Sequence, residues 1–192
     1  PDGDNICEKA WRLLDADFGI GNVKIHLHKQ IAIGAGLGGG SADASFTLKV
    51  LDDLFDLNLS DTKLDKYALR LGADCPFFID NTPKLVEGIG EKMTFIDLDL
   101  SEYNIRLINP GIHVSTKEAY SDLVPKTPVL SVEKIIEFPI IEWKGKLKND
   151  FETSGFLKYP SLEKIKEELY TDGAIYASMS GSGSVIYGVF SS

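Results

Sequence analysis

The densest chemical signal in the chain is a run of glycines at positions 34, 36, 38, 39 and 40, which ends on Ser41. Glycine carries no Cβ, so backbone N–H groups in such a run can approach a ligand closely and converge on it. From Ala42 to about Asp56 the chain carries a helical apolar pattern: Ala44, Phe46, Leu48, Val50, Leu51, Leu54 and Phe55. A helix starting there adds free N–H donors and a positive dipole end at Ser41 to Ala44. This combination suits binding of an anion, phosphate above all. A plain strand-to-helix turn would need only one or two of the glycines.

Three types of phosphate loop compete for the run. Gly34-x-Gly36-x-x-Gly39 matches the dinucleotide-binding fingerprint. That fingerprint also needs an acidic residue about 20 positions on, at the end of a second strand. Asp52 and Asp53 lie near that distance, but inside the helical run, with no strand before them. The pattern G-x-x-x-x-G-K-[ST] is met at Gly34, Gly39 and Ser41, but its lysine position is Gly40. What remains is a loop that uses N–H groups, a hydroxyl and a helix end, with its lysine elsewhere.

Fewer residues elsewhere point to chemistry. Ser180-Gly181-Ser182-Gly183-Ser184 is a second small glycine turn. Asp74 follows a helix pattern that Gly72 ends and precedes Pro76, a placement that fixes a carboxylate in a loop. A capping or turn aspartate fits the same position. His26-x-His28 puts two imidazoles on one strand face, a spacing that suits a metal. No further ligands cluster in sequence, so a solvated face is the simpler account. His113 stands alone, and no Ser-His-Asp set is apparent. Trp11 and Trp143 read as packing residues.

These residues need elements to hold them. Asp4 or Asn5 caps a first helix with Ile6, Ala10, Leu13 and Leu14 on one face, broken by Gly19 and Gly21. Val23, Ile25 and Leu27 alternate with Lys24, His26 and His28, which predicts a half-buried strand leading to the glycine run. The helix after the run is apolar over much of its girth and is expected to be buried. Ser60 caps a helix through Leu64, Tyr67, Ala68 and Leu71, ended by Gly72. Phe77 to Ile79 reads as a strand. Glu87-Gly88-Ile89-Gly90-Glu91 reads as a turn between strands at Leu85-Val86 and Met93 to Ile96.

The acidic stretch from Asp97 to Tyr103 marks a domain boundary, giving domains 1–100 and 101–192. A strand at Ile105, Leu107 and Ile108 stops at Asn109-Pro110-Gly111. A helix over Ser115 to Leu123 follows, then a stretch broken by Pro125, Pro128 and Pro139. Ser161 caps a helix through Tyr170. Strands at Ala174 to Ala177 and Val185 to Phe190 flank the second glycine turn.

The 192 residues suit one domain or two small ones, and 43% hydrophobic residues supply a core. A net charge of −9 would repel a phosphate backbone, so general nucleic-acid binding is not expected. Cys7 and Cys75 cannot make a disulfide scaffold or a zinc cage, which points to the cytoplasm. No apolar run approaches the ~20 residues of a membrane span, and no signal-peptide pattern is present. The chain opens at Pro1 directly into a helix pattern and stops at Ser191-Ser192 after a strand-like run. A piece of a longer protein is therefore expected.

In order, Gly36-Leu37-Gly38-Gly39-Gly40-Ser41-Ala42-Asp43-Ala44, Leu71-Gly72-Ala73-Asp74-Cys75-Pro76-Phe77, Glu87-Gly88-Ile89-Gly90-Glu91, Asn109-Pro110-Gly111 and Ser180-Gly181-Ser182-Gly183 resemble the motifs of the GHMP kinases. The set spans almost the whole chain. Ala32 stands where the family loop has a proline, and Ala42 where it has a second serine. Neither change touches the glycine backbone. The family's first strand carries a lysine near the reacting groups, and this chain starts beyond it.

The resemblance implies an α+β fold of two domains: a partial GHMP nucleotide-binding domain without its first strands, then a ferredoxin-like C-terminal domain without its end. It implies transfer of the γ-phosphoryl of ATP to the 2-hydroxyl of 4-diphosphocytidyl-2-C-methyl-D-erythritol, in isoprenoid precursor synthesis by the non-mevalonate route. The chain by itself is expected to be inactive. Another small alcohol (mevalonate, homoserine or a sugar) is the alternative acceptor, and a non-catalytic nucleotide-binding fragment the alternative from another class.

Under this resemblance Asp74 is the catalytic residue, orienting the hydroxyl and accepting its proton late. Gly34, Gly36, Leu37, Gly38, Gly39, Gly40 and Ser41 hold the phosphates of ATP, and Asn5 and Lys29 lie near its adenine. Mg2+ is expected with ATP, with Asp43 and Ser41 considered as ligands. Tyr120 stacks on the cytosine, Thr116 reaches the acceptor, and Gly181, Ser182 and Gly183 lean over it. The partner is a small molecule, with no nucleic acid or membrane. The sequence leaves the oligomeric state open.

Overall fold

The structure, a computed structural model, describes residues 5–88, 90, 92–121, 123 and 127–192. It divides into two compact units. The first takes the chain up to Gln30 and then Gly38–Asp97; the second takes Ile31–Leu37 and Leu98–Ser192. The sequence placed the division near residue 100 and gave it no early segment; the structure gives residues 31–37 to the second unit.

Among the described residues, four helices and a hairpin make the first unit. Helix α1 (Ile6–Phe18) starts at Asn5, whose side chain accepts from the Cys7 N–H at 2.9 Å, and ends on left-handed Gly19. Asp4, the other proposed cap, lies outside the described residues. Helix α2 (Gly39–Leu54) starts three residues earlier than the apolar pattern, inside the glycine run. Helix α3 (Asp61–Leu71) starts after Ser60 and ends at Gly72 as expected, but the Ser60 side chain makes no capping hydrogen bond. Ala10, Leu14, Ala44, Leu48, Leu51, Leu64, Tyr67, Ala68, Cys75 and Ile79 form the core that joins these helices.

Three expectations fail in this unit. Residues 19–30 form no strand. The alternation at Val23 to Leu27 is present, but a strand exists only through ladder bonds to a neighbour, and no described segment pairs with it. Ile25 and Leu27 are exposed as a result. Phe77 to Ile79 belongs to a short helix, α4 (Phe77–Asp80). Pro76 precedes it with φ −57 and ψ −29, already helical, and three apolar residues cannot separate helix from strand by period. Helix α2 is buried on one side only; Phe46, Val50 and Leu54 are exposed.

The hairpin pairs β1 (Lys84–Glu87) with β2 (Lys92–Phe95), antiparallel, with Val86 opposite Met93. Ile89 and Glu91 of its turn lie outside the described residues. Beside the hairpin, burial works to raise the Asp80 carboxyl, but the Lys84 ammonium at 2.6 Å outweighs it and holds the group low.

The second unit is built on a sheet of order β3-β5-β4, all antiparallel: β3 (Tyr103–Ile108), β4 (Tyr176–Met179) and β5 (Ile186–Ser191). Helix α5 (Thr116–Ser121) is shorter than the expected 115–123. The proline-broken stretch, whose Pro125 lies outside the described residues, holds more helix than its composition suggested. It contains α6 (Val132–Ile136), a 3-10 turn at Ile140–Glu142 and, after it, α7 (Phe151–Lys158). Helix α8 (Pro160–Thr171) opens on Pro160, whose fixed φ suits a first helical position, so the start precedes Ser161.

One sheet face packs Ala177, Met179 and Ile186 on Leu162 and Leu169 of α8. The other packs Tyr176 and Val189 on Ile135, Ile140 and Trp143. Trp143 is thus a core residue, with its indole N–H bonded to the Phe138 carbonyl at 2.9 Å.

Candidate functional site

In the first unit α2 rises straight out of the glycine run. Gly38 precedes it in the left-handed region, φ 66, and no side chain caps the helix. The first helical N–H groups have no carbonyl behind them within the helix; the Ala42 N–H reaches Gly38 O at 2.9 Å. A Cβ on Gly38 would come within 2.8 Å of the Phe78 ring. At Gly40 a Cβ would meet nothing within 4 Å. The protein's own packing therefore does not require glycine at 40, whereas a ligand lying on that backbone would.

Asp74 lies in the turn between α3 and α4 and is exposed. It has no hydrogen bond or ion pair among the described residues. Its neighbours hold the turn against the start of α2. The Ser45 hydroxyl donates to Cys75 O at 2.6 Å, and Lys49 Nζ donates to Ile79 O at 2.9 Å. Cys75 is fully buried. Burial pushes its thiol up, against a hydrogen bond with the Ser41 side chain that lowers it. So the end of the glycine run influences the residue after Asp74, and Ser45, four residues further on, bonds to it directly. From the hairpin turn, Gly90 presses on Ala73: a Cβ there would come 3.1 Å from Ala73 O, and φ is +112. Three of the motifs far apart in sequence thus meet around one carboxylate.

Lys29 pairs with Asp43 on α2, both about a quarter exposed at 26% and 24%. Asn5 is occupied as the α1 cap. His26 and His28 are exposed. Among the described residues no three His, Cys, Asp or Glu side chains gather to hold a metal.

In the second unit the Ser180–Ser184 turn clasps the opening of the glycine run. The Ser180 hydroxyl donates to Gly36 O at 2.8 Å, and the Val185 N–H to Ala35 O at 3.2 Å. Gly36 has φ +76, and a Cβ on it would fall on Ser180 O and lie 2.9 Å from Gly183 O. Only glycine fits this approach. Gly34 faces His113, whose Nδ1 would lie 2.7 Å from an added Cβ.

Tyr120, on α5, is 62% exposed and stands edge-on to Phe151 at 5.0 Å. Ser182 lines a narrow cleft with Ala119 of α5 and Phe151 and Gly155 of α7. The structure therefore brings Tyr120 and the 181–183 turn together at the start of α7. The side chain of Thr116 lies outside the described residues. A wider concavity of about 480 Å³ between α7 and α8, lined by Phe156, Glu163 and Tyr170, holds none of the expected site residues.

Sequence reading missed two residues. Ser45 is a fully buried hydroxyl in an apolar helical run, and that mismatch was the available signal. Asn149 donates to Met179 O and Gly181 O at 2.8 and 2.7 Å. Nothing local marks it, because its partners are 30 and 32 positions away.

Comparison with known proteins places the chain in a family. Residues 5–81 match the model of the GHMP kinases N terminal domain, and residues 139–192 that of the GHMP kinases C terminal domain. A 4-diphosphocytidyl-2-C-methyl-D-erythritol kinase of Bacteroides fragilis is 51% identical over 187 residues, 97% of this chain and 68% of that protein. One of Azobacteroides pseudotrichonymphae is 52% identical over 97% of this chain and 70% of its own length. A crystal structure of 4-(cytidine 5'-diphospho)-2C-methyl-D-erythritol kinase superposes with a TM-score of 0.82 at 33% identity, covering 97% of this chain and 69% of that one. Among the described residues no helix is long and apolar enough to cross a membrane. With both family domains matched in order and half its residues shared with such relatives, the chain belongs to the GHMP kinases.

Proposed function

We propose that the chain is the greater part of a kinase that moves the γ-phosphoryl of ATP to the 2-hydroxyl of 4-diphosphocytidyl-2-C-methyl-D-erythritol. The acceptor rests on the relatives, half identical over nearly all of this chain. The chemistry rests on one observation: the turn that carries Asp74 is fastened to the second turn of α2 by the hydrogen bond from the Ser45 hydroxyl to Cys75 O. A phosphoryl group held at that helix start would lie next to the turn that carries Asp74, an exposed carboxylate with no hydrogen bond or ion pair among the described residues.

The reaction follows from these groups. Gly38, Gly39, Gly40 and Ser41 offer N–H groups and a hydroxyl to the phosphates, where negative charge grows during transfer. The acceptor oxygen forms its bond to the γ-phosphorus as the bond to the β,γ-bridging oxygen breaks, and ADP leaves. Asp74 orients the acceptor hydroxyl and takes its proton. Mg2+ suits this site as an ion carried in on ATP, since it binds through phosphates and one or two protein oxygens. Ser41 and Asp43, at the start of α2, are the protein oxygens that would hold it, and Lys29 already pairs with Asp43. Mg2+ would there supply neutralisation of triphosphate charge.

Asn5 and Lys29 belong on the adenine side, and Gly34, Gly36 and Leu37 complete the phosphate loop. Tyr120 supplies an exposed ring for the cytosine, beside Gly181, Ser182 and Gly183, with Thr116 on the same helix. The test is ADP release by the full-length protein with the acceptor present and then omitted. Release that requires the acceptor is expected; release with mevalonate, homoserine or a sugar in its place would reassign the substrate.

A further inference from the structure

The N-terminal end of α7 does more than start a helix. Strand β4 is an edge of its sheet, with β5 on one side only. Its outer rim is satisfied by side chains rather than by another strand. Glu152 accepts from the Met179 N–H at 2.8 Å and the Ser178 hydroxyl at 3.1 Å, and Lys166 holds its other oxygen at 2.6 Å. Asn149 donates to Met179 O at 2.8 Å, and from the same amide nitrogen to Gly181 O at 2.7 Å. Its own oxygen accepts from the Phe151 N–H at 3.0 Å and so holds the first residue of α7, next to the N-cap position at Asp150.

Each hydrogen-bonding atom of the Asn149 amide group is therefore committed. The two carbonyls it gathers bracket Ser180. Ser180 is the residue whose hydroxyl fastens Gly36 O, and whose carbonyl lies where a Gly36 Cβ would be. A chain of contacts runs from the start of α7 through the second glycine turn to the backbone of the first.

We propose that Asn149 is a positioning residue for the nucleotide loop: it sets the Ser180–Gly183 turn, and the turn sets Gly36. This rests on reading the glycine run as the phosphate loop. Only the amide serves all three partners. Aspartate keeps the oxygen that accepts from the Phe151 N–H, but turns two donated hydrogen bonds into contacts between a carboxylate and two carbonyl oxygens.

The test uses the full-length protein with Asn149→Asp and, separately, Ser180→Ala, which cuts only the hydroxyl link to Gly36. Melting temperature, kcat, and KM for ATP and for the acceptor are measured for each. Loss of a positioning hydrogen bond is expected to raise the KM for ATP about tenfold, more than the KM for the acceptor. The double variant should be no worse than the poorer single one, because both act through one turn. An unchanged KM for ATP, equal shifts in both KM values, or additive effects would overturn the proposal. Should Asn149→Asp fail to fold, Asn149→Ala is read by the same criterion, and Ser180→Ala decides only the link from the turn to Gly36. Wild-type protein that binds ATP but ignores the acceptor contradicts the acceptor assignment only; titration of ATP into the same variants still decides the role of Asn149.

Discussion

The hydroxyl of Ser45 donates to the carbonyl oxygen of Cys75 at 2.6 Å, across 30 positions of sequence. This bond ties the second turn of α2 to the residue after Asp74. Replacing Asp74 by Asn keeps its shape and removes its basicity. A general base contributes about 10² to 10⁴ in rate, so kcat is expected to fall by that range while the KM for ATP stays near wild type. Steady-state kinetics on Asp74→Asn checks this, and near-normal turnover would remove Asp74 from its role.

Ser45→Ala tests the fastening itself. Cys75 O keeps the Phe78 N–H at 3.0 Å, so the carbonyl is not abandoned. The expected stability loss is about 1 kcal/mol, read by denaturant unfolding, with a lower kcat because the Asp74 turn is freer.

Gly36 and Gly40 separate packing from binding. Gly36→Ala places a methyl on Ser180 O at a positive φ, so both stability and ATP binding should suffer. Gly40→Ala adds a methyl to open space. Its melting temperature should match wild type, while ATP affinity falls if the phosphates lie on that backbone as proposed. Equal ATP affinity in Gly40→Ala would argue against that backbone as the phosphate contact.

Tyr120→Ala should leave the fold intact, since the ring is 62% exposed. Stacking on a base is worth about 1–3 kcal/mol, so the KM for the cytidylyl acceptor should rise about tenfold or more, with the KM for ATP unchanged.

Tyr67 gives a pH signature. Burial, and its hydrogen bond to Asp17 at 2.6 Å, push the phenol up to about 12. The fold favours the protonated form, while the unfolded chain ionises near pH 10. The Tyr67 contribution to stability is thus complete below about pH 10 and is lost as pH rises through about 12. In Tyr67→Phe that loss is absent, so the alkaline slopes of unfolding free energy against pH should differ between the two proteins.

Local signals carried much of the fold. Periodicity found α1, α3 and the β1–β2 hairpin, and Gly19 and Gly72 mark their helix ends. It failed where structure depends on a neighbour. Val23 to Leu27 alternates like a strand but meets no described partner, and Phe77 to Ile79 is too short to show a period. Helix α7 escaped notice because Gly155 and three polar residues interrupt its apolar face. At the site, the glycines stood out through local chemistry, whereas Asp74 was singled out by the resemblance to the GHMP kinases, since a turn aspartate fits its position equally well. Asn149 could not stand out, because its amide bonds reach residues that only the folded chain brings near.

The most direct measurement of the central claim is acceptor-dependent ADP release by the full-length protein, run beside Asp74→Asn. The account predicts release only with 4-diphosphocytidyl-2-C-methyl-D-erythritol present, and its near loss in the variant with ATP binding retained. Release that ignores the acceptor, or an Asp74→Asn enzyme as fast as wild type, would contradict it.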